Sequence, residues 1–279
     1  MNLGRRSPLL LIPPAGLLVL FVIGIGYLLL ESVRGSDGWG FANFHAFFAR
    51  ADYVNVLLRT VAVALVVSVL CTVIGYPIAL SISRYQGNRN LLMMLVITPW
   101  LVSVVVRTYG WVVILGPRGT LNSALQWLGV VEAPLRLIFN STGVVIGLVH
   151  VFCPFLIISV LTVLLYQDRS LEEASQTLGA GPLRTFMKVT LPLSLPGVLS
   201  GMAIVYLLST GAIVTPLLLG GVRDGLLATQ IYQDVLQTFD YPKASSMALI
   251  LVATAFAAVL PLQWLERRLA VRASGRSAA

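Results

Sequence analysis

The stretch from Gly143 to Leu165 reads GVVIGLVHVFCPFLIISVLTVLL and holds no Asp, Glu, Lys or Arg across its twenty-three residues. A helix needs about 20 apolar residues to cross the ~30 Å hydrocarbon core of a bilayer, so an uncharged run of this length predicts one crossing. Five more segments of the same kind stand at roughly 9–30, 54–83, 91–115, 197–219 and 245–265. Hydrophobic residues make up 57% of the 279-residue chain and charged residues 11%, with a mean hydropathy of +0.89. So much apolar surface cannot be hidden in one water-facing core, which excludes a soluble enzyme. The expected fold is all-α: a polytopic membrane protein with six transmembrane helices.

Six crossings put both ends on one side. The segments facing that side carry eleven basic residues: Arg5, Arg6, Arg84, Arg89, Arg169, Arg184, Lys188, Arg267, Arg268, Arg272 and Arg276. The opposite loops carry six: Arg34, Arg50, Arg118, Arg136, Arg223 and Lys243. By the positive-inside rule both termini are cytoplasmic. The formal charge of +8 is thus an orientation signal, and no nucleic-acid partner is expected. Arg5-Arg6 before an apolar run resembles a secretory signal, but the run is long and lacks a small-residue cleavage site, so a retained first helix is expected.

Cys71 and Cys153 both fall inside spans, which points to packing and not to a disulfide framework. In the outward loop 31–53, the aromatic residues Phe41, Phe44, Phe47 and Phe48 predict a short interfacial helix in its second half. Short polar residues 84–90 predict a tight hairpin between the second and third spans. Prolines stand in or beside most spans, at Pro13, Pro14, Pro77, Pro99, Pro154, Pro216 and Pro261, where they permit kinks that neighbouring groups satisfy.

The inward segment Tyr166–Pro196 is too long and polar for a passive connector. Ser170-Leu171-Glu172-Glu173 has the form of a capping box, and Leu171, Ala174, Ser175 and Leu178 follow at helical spacing as a small, mostly apolar stripe. Gly179 stands where a left-handed residue ends such a helix. Pro182 opens a second helix, expected to run to about Thr190 before Leu191-Pro192 halts it. A helix of two turns is marginal alone, so its stripe calls for cover. The protein's own helix ends and a separate cytoplasmic partner are both open as that cover.

Glu173-Ala174-Ser175, three residues, Gly179, nine residues, then Val189-Thr190-Leu191-Pro192 resembles the EAA loop of binding-protein-dependent ABC importer permeases, E-A-A-x₃-G-x₉-I-x-L-P. Ser175 replaces the second Ala and Val189 the Ile, both close in size. The resemblance implies a type I permease whose coupling helices dock into an ATP-hydrolysing subunit through Glu173, Ala174, Ser175, Leu178, Gly179, Val189, Leu191 and Pro192. It implies three regions: a first helix and outward loop over 1–53, a five-helix permease domain over 54–265 with its coupling loop at about 166–196, and a basic cytoplasmic tail over 266–279. Partners implied are two ATPase copies, a second homologous permease subunit and an extracytoplasmic solute-binding protein, in a bacterial inner membrane. The stretches Pro99-Trp100, Arg107–Trp111 and Leu115–Asn122 are similar to the first permease of spermidine/putrescine importers. Related permeases for opines, other amines and ferric iron share parts of them.

A P-loop needs Gly-Lys followed by Ser or Thr, and neither Lys188 nor Lys243 follows glycine. ATP and Mg are therefore expected on the partner, with no cofactor, metal or catalytic residue in this chain. No span carries a central acid, so a passing cation would meet ring faces and hydroxyls. Trp100, Arg107, Tyr109, Trp111, Tyr206, Ser209 and Thr210 are the pathway candidates, with ordinary helix packing the competing role for each. Arg107 and Arg59 lie near outer helix ends, where snorkelling accounts for them. Two other classes fit worse. An intramembrane hydrolase would need a base such as His150 facing a nucleophile, and no supporting motif occurs; a self-sufficient secondary transporter would place ionisable groups at the midplane.

Overall fold

The computed structural model describes residues 12–35 and 38–276. Arg5, Arg6 and Asp37 lie outside the described residues, as do the side chains of Arg272 and Arg276. Helix α1 (Ile12–Ser32) leads through a ribbon of two-residue strands, β1 (Arg34–Gly35) and β2 (Gly38–Trp39), to α2 (Ala42–Ala49), the short aromatic helix expected before the second span. Then follow α3 (Ala51–Arg84), α4 (Arg89–Leu101), α5 (Val104–Leu115) and α6 (Thr120–Trp127). The rest comprises α7 (Ser141–Tyr166), α8 (Ser170–Thr177), α9 (Pro182–Thr185), α10 (Leu191–Thr210), α11 (Val214–Leu219), α12 (Leu227–Gln233) and α13 (Tyr241–Arg276).

Among the described residues five helical stretches are long and apolar enough to cross a membrane, and the bent pair of α4 with the arm from Val104 to Trp127, which takes in α5 and α6, makes up to six. The third span is therefore not the single helix expected over 91–115: its two arms diverge by 89° around Val102 and Ser103. Both residues are extended, with ψ 139° and 134°. A run of apolar residues fixes how much chain lipid can accept, not its direction. The fifth span also differs. It begins at Pro182 and ends at Thr210, and the expected continuation to 219 turns away as α11 after Gly211.

Nor does Leu191-Pro192 halt the helix that Pro182 starts. A π turn over Phe186–Thr190 joins α9 to α10, with the Leu191 amide donating to the Phe186 carbonyl five residues back. Pro192 has no N–H for the Lys188 carbonyl, and its ring would collide with that carbonyl in a regular helix. Widening the turn relieves the conflict, so the helix passes through.

The centre of the bundle is α7, packed between α3 and α10. In lipid, helices associate by close packing and polar contacts, with small residues at the crossings. At Gly75 of α3 an added Cβ would lie 2.8 Å from Leu156 Cδ2, and at Gly197 of α10 it would lie 3.0 Å from the Ser159 carbonyl. Ser159 Oγ donates to the Gly197 carbonyl at 2.9 Å, and Tyr76 Oη meets Ser194 Oγ at 2.8 Å to tie α3 to α10. Cys71 and Cys153 are buried free thiols in this core, as packing residues should be.

Candidate functional site

At the basic end of the bundle, the end bearing Arg84, Arg169 and Lys188, the short helix α8 packs on α9 and the following π turn and reaches the end of α3 through Glu172 and Arg84. Its start differs from the capping box expected of Ser170 and Glu173. The Asp168 carboxylate accepts the Ser170 amide at 2.9 Å, capping from two residues earlier. This bond, with a second from the Ser170 hydroxyl, holds the Asp168 carboxyl below the ordinary carboxylate range. At the other end Gly179 has φ +82°, the left-handed stop anticipated from the sequence.

The two faces of α8 are unlike. Leu171, Glu173, Ala174, Leu178 and Gly179 are exposed, Leu178 at 88%. Leu183 and Met187 are also exposed nearby. Among the described residues nothing covers Leu171, Ala174 or Leu178 of the apolar stripe. The opposite face is tied down by polar groups: Glu172 Oε1 accepts from Thr190 Oγ1 at 2.6 Å, and Arg84 Nη2 stands 3.4 Å from both Glu172 oxygens. Ser175 Oγ meets Thr185 Oγ1 at 3.1 Å. The Ser83 carbonyl at the end of α3 accepts from Arg169 at 3.1 Å and from Arg89 at 3.3 Å, and Gln167 donates to the Thr190 carbonyl at 3.3 Å. Of the other loop residues singled out by sequence, Val189 and Leu191 are half-buried in and after the π turn, and Pro192 is exposed. Glu172 was not among the residues singled out; a carboxylate whose partners lie at Arg84 and Thr190 leaves no local signal.

The pathway candidates do not converge on one site. Trp100 stacks edge-on against Phe155, and Tyr109 is exposed. Trp111 donates to His150 Nδ1 at 3.1 Å, which gives that histidine a packing partner and no nucleophile. Arg107 keeps Nε and Nη1 buried with no hydrogen-bond partner among the described residues. Tyr206, Ser209 and Thr210 sit together, buried on α10, and among the described residues the Tyr206 and Ser209 hydroxyls likewise have no partner.

The end of the bundle opposite α8 holds a cavity of about 700 Å³ that the sequence did not reveal. Asp52, Asn55 and Arg59 of α3 face Thr229, Gln230 and Gln233 of α12 across it. Arg59, expected to snorkel near the outer end of its helix, donates there to the Arg223 carbonyl in the α11–α12 connection. Thr60 Oγ1 accepts the Leu227 amide at 2.9 Å beside it. No group of three or more metal-ligating side chains occurs among the described residues.

The model of the binding-protein-dependent transport system inner membrane component family matches residues 74–273. Among relatives, the spermidine/putrescine transport system permease protein PotB of Escherichia coli (strain K12) is 34% identical over 203 residues, covering 72% of this chain and 74% of that protein. PotB of Haemophilus influenzae is 31% identical, covering 83% and 84%. The molybdenum transport system permease protein ModB of Mycobacterium bovis is 29% identical, covering 86% and 89%. Among solved structures, a bacterial alginate ABC transporter chain superposes with a TM-score of 0.72 at 22% identity, covering 94% of this chain and 96% of that one. A chain of the MetNI methionine ABC transporter reaches 0.56 at 20% identity, covering 79% and 94%. An uncovered two-turn helix ending in a left-handed glycine, a bundle of five to six apolar crossings, and these matches agree: the chain belongs to the binding-protein-dependent transport system inner membrane components, the multi-pass permease subunits of ABC importers.

Proposed function

We propose that this permease carries polyamines inward, driven by a separate ATPase that docks on the α8–Gly179 face. The exposed stripe of Leu171, Ala174 and Leu178, backed by a helix surface already tied to the bundle, is the observation that carries the docking reading. A short helix rarely leaves such side chains bare unless a partner covers them. Glu173 projects from the same face, available to an arginine of the ATPase groove. In this reading the basic end and both termini are cytoplasmic, ATP and Mg stay on two ATPase copies, and a second permease subunit completes the path. A solute-binding protein then meets the opposite end, where the cavity bounded by Asp52, Arg59 and Gln230 opens.

The polyamine assignment rests on similarity to the PotB proteins over most of the chain. An oxyanion is the second reading, favoured by the ModB relative and by Arg59 and Arg223 lining the cavity, where two guanidinium groups suit an anion. Uptake of labelled spermidine, putrescine and molybdate by cells expressing the chain with its neighbouring subunits separates them. Spermidine uptake that a Gly179→Asp variant loses at unchanged membrane level is the expected result. Molybdate uptake without spermidine uptake would transfer the assignment to oxyanions.

A further inference from the structure

We propose that Glu172 is a positioning residue for transport: it clamps α8 to the far side of the π turn, so that movement of α8 reaches α10 without being absorbed in that turn. The inference rests on α8 being the surface that receives the ATPase. A push on α8 can travel by two routes. Along the chain it passes through α9 and then Phe186–Thr190, where the regular hydrogen-bond ladder is interrupted. A π turn is the soft joint of a helix and a poor lever. The Glu172 carboxylate bypasses it, because its Oε1 holds the hydroxyl of Thr190, the last residue of the turn, at 2.6 Å.

The grip is built for short reach. Thr190 is 1% exposed, so its hydroxyl has little water to exchange for, and a charged acceptor makes this the shorter and stronger kind of hydrogen bond. Arg84, at 3.4 Å, neutralises the same carboxylate from the end of α3. Gln167 at the end of α7 holds the Thr190 carbonyl. One side chain of α8 thus meets the ends of α3 and α10, and α10 goes on to the buried Tyr206, Ser209 and Thr210. Glu173 on the exposed face would serve docking; Glu172 on the hidden face would serve transmission.

Two readouts test this in the full complex purified with its ATPase. Spin labels at Gln176→Cys and Gln86→Cys, both exposed, report the separation of α8 from the end of α3, while native Cys71 and Cys153 are buried away from the reagent. A narrow distance distribution is expected for the parent and a clearly broader one for Glu172→Ala and for Thr190→Val. The second readout is solute transported per ATP hydrolysed. It should fall about tenfold in each variant with the ATPase still co-purifying, and the double variant should fall no further than Glu172→Ala, because the Glu172–Thr190 bond is lost in all three. Unchanged width and ratio, additive losses, or loss of the ATPase from Glu172→Ala alone would each overturn the proposal. If Glu172→Ala fails to accumulate, Thr190→Val, which exchanges a hydroxyl for a methyl, decides the matter. Failure of the ATPase to co-purify with the parent would instead refute the docking reading, and the label distances would still report on the clamp.

Discussion

Helices α1 and α7 are similar in apolar character, their most apolar eighteen-residue windows having mean hydropathies of 2.2 and 2.7, yet α7 is the hub of the bundle and α1 lies on its edge. Between Pro13 and Leu30 no residue of α1 is buried, whereas most of the apolar window of α7 is. Their glycines show why. Gly16, Gly24 and Gly26 of α1 have nothing within 4 Å of an added Cβ, while Gly147 of α7 has Leu219 Cδ1 at 2.6 Å and Thr215 Cγ2 at 2.7 Å. Hydropathy measures acceptance by lipid, and lipid accepts both helices equally. Backbone proximity at small residues selects which of them becomes the centre.

Adding bulk is the harshest way to break this contrast. Gly197→Leu, on the α10 surface facing α7, forces its Cβ to 2.8 Å from Val163 Cγ2 before the rest of the side chain is placed. It should cost about 3 kcal/mol, at the upper end for overpacking. Gly24→Leu should change stability by less than about 0.5 kcal/mol. Thermal unfolding of the detergent-purified chain compares the two, and equal losses would refute the contrast.

The proposed docking gives exposure at α8 another origin, and Leu178→Asp tests that difference. It should lower ATPase co-purification about tenfold, roughly 1.4 kcal/mol, without moving the unfolding temperature. A polar residue placed on α1 should leave co-purification alone. Smaller still is Tyr76→Phe, which removes the bond to Ser194 that ties α3 to α10; a loss of about 1 kcal/mol in thermal stability is expected, typical of interhelical hydrogen bonds in membranes.

The smallest effect is a pH dependence confined to α8. Asp168 has a folded pKa below its unfolded value, so its contribution is present above about pH 4 and disappears as pH falls through the depressed folded value. Amide exchange at Ser170 should therefore accelerate relative to α7 only in that acid window, and Asp168→Asn should remove the window. Acceleration on raising the pH from neutrality, beyond the intrinsic chemical rate, would contradict the assignment.

The membrane class, the approximate crossings, the short aromatic helix α2, the left-handed Gly179 and the EAA spacing were all legible in the sequence, because each depends on composition or on residues within a few positions. The 89° break at Val102-Ser103, the helix running through Pro192 and the capping role of Asp168 were not. The first two required choosing between backbone conformations of similar energy in the folded bundle; the third is a local competition between Asp168 and the Ser170–Glu173 box, which spacing alone does not rank. The candidate site divides the same way. Glu173 and Gly179 are found by spacing; Glu172 is not, since Arg84 and Thr190 lie eighty-eight residues before it and eighteen after it.

By itself, then, the sequence determined that this chain enters a membrane, about how often it crosses, and where its EAA-like loop stands. Solvent transfer and single-turn geometry are properties of neighbouring residues, and a linear string records them. Tertiary structure alone decided that α7 is the hub and α1 the rim, that Arg59 reaches the Arg223 carbonyl over the outer cavity, and that Glu172 grips Thr190. Those outcomes depend on how closely separate helices approach one another, a distance set by the packing of every side chain between them.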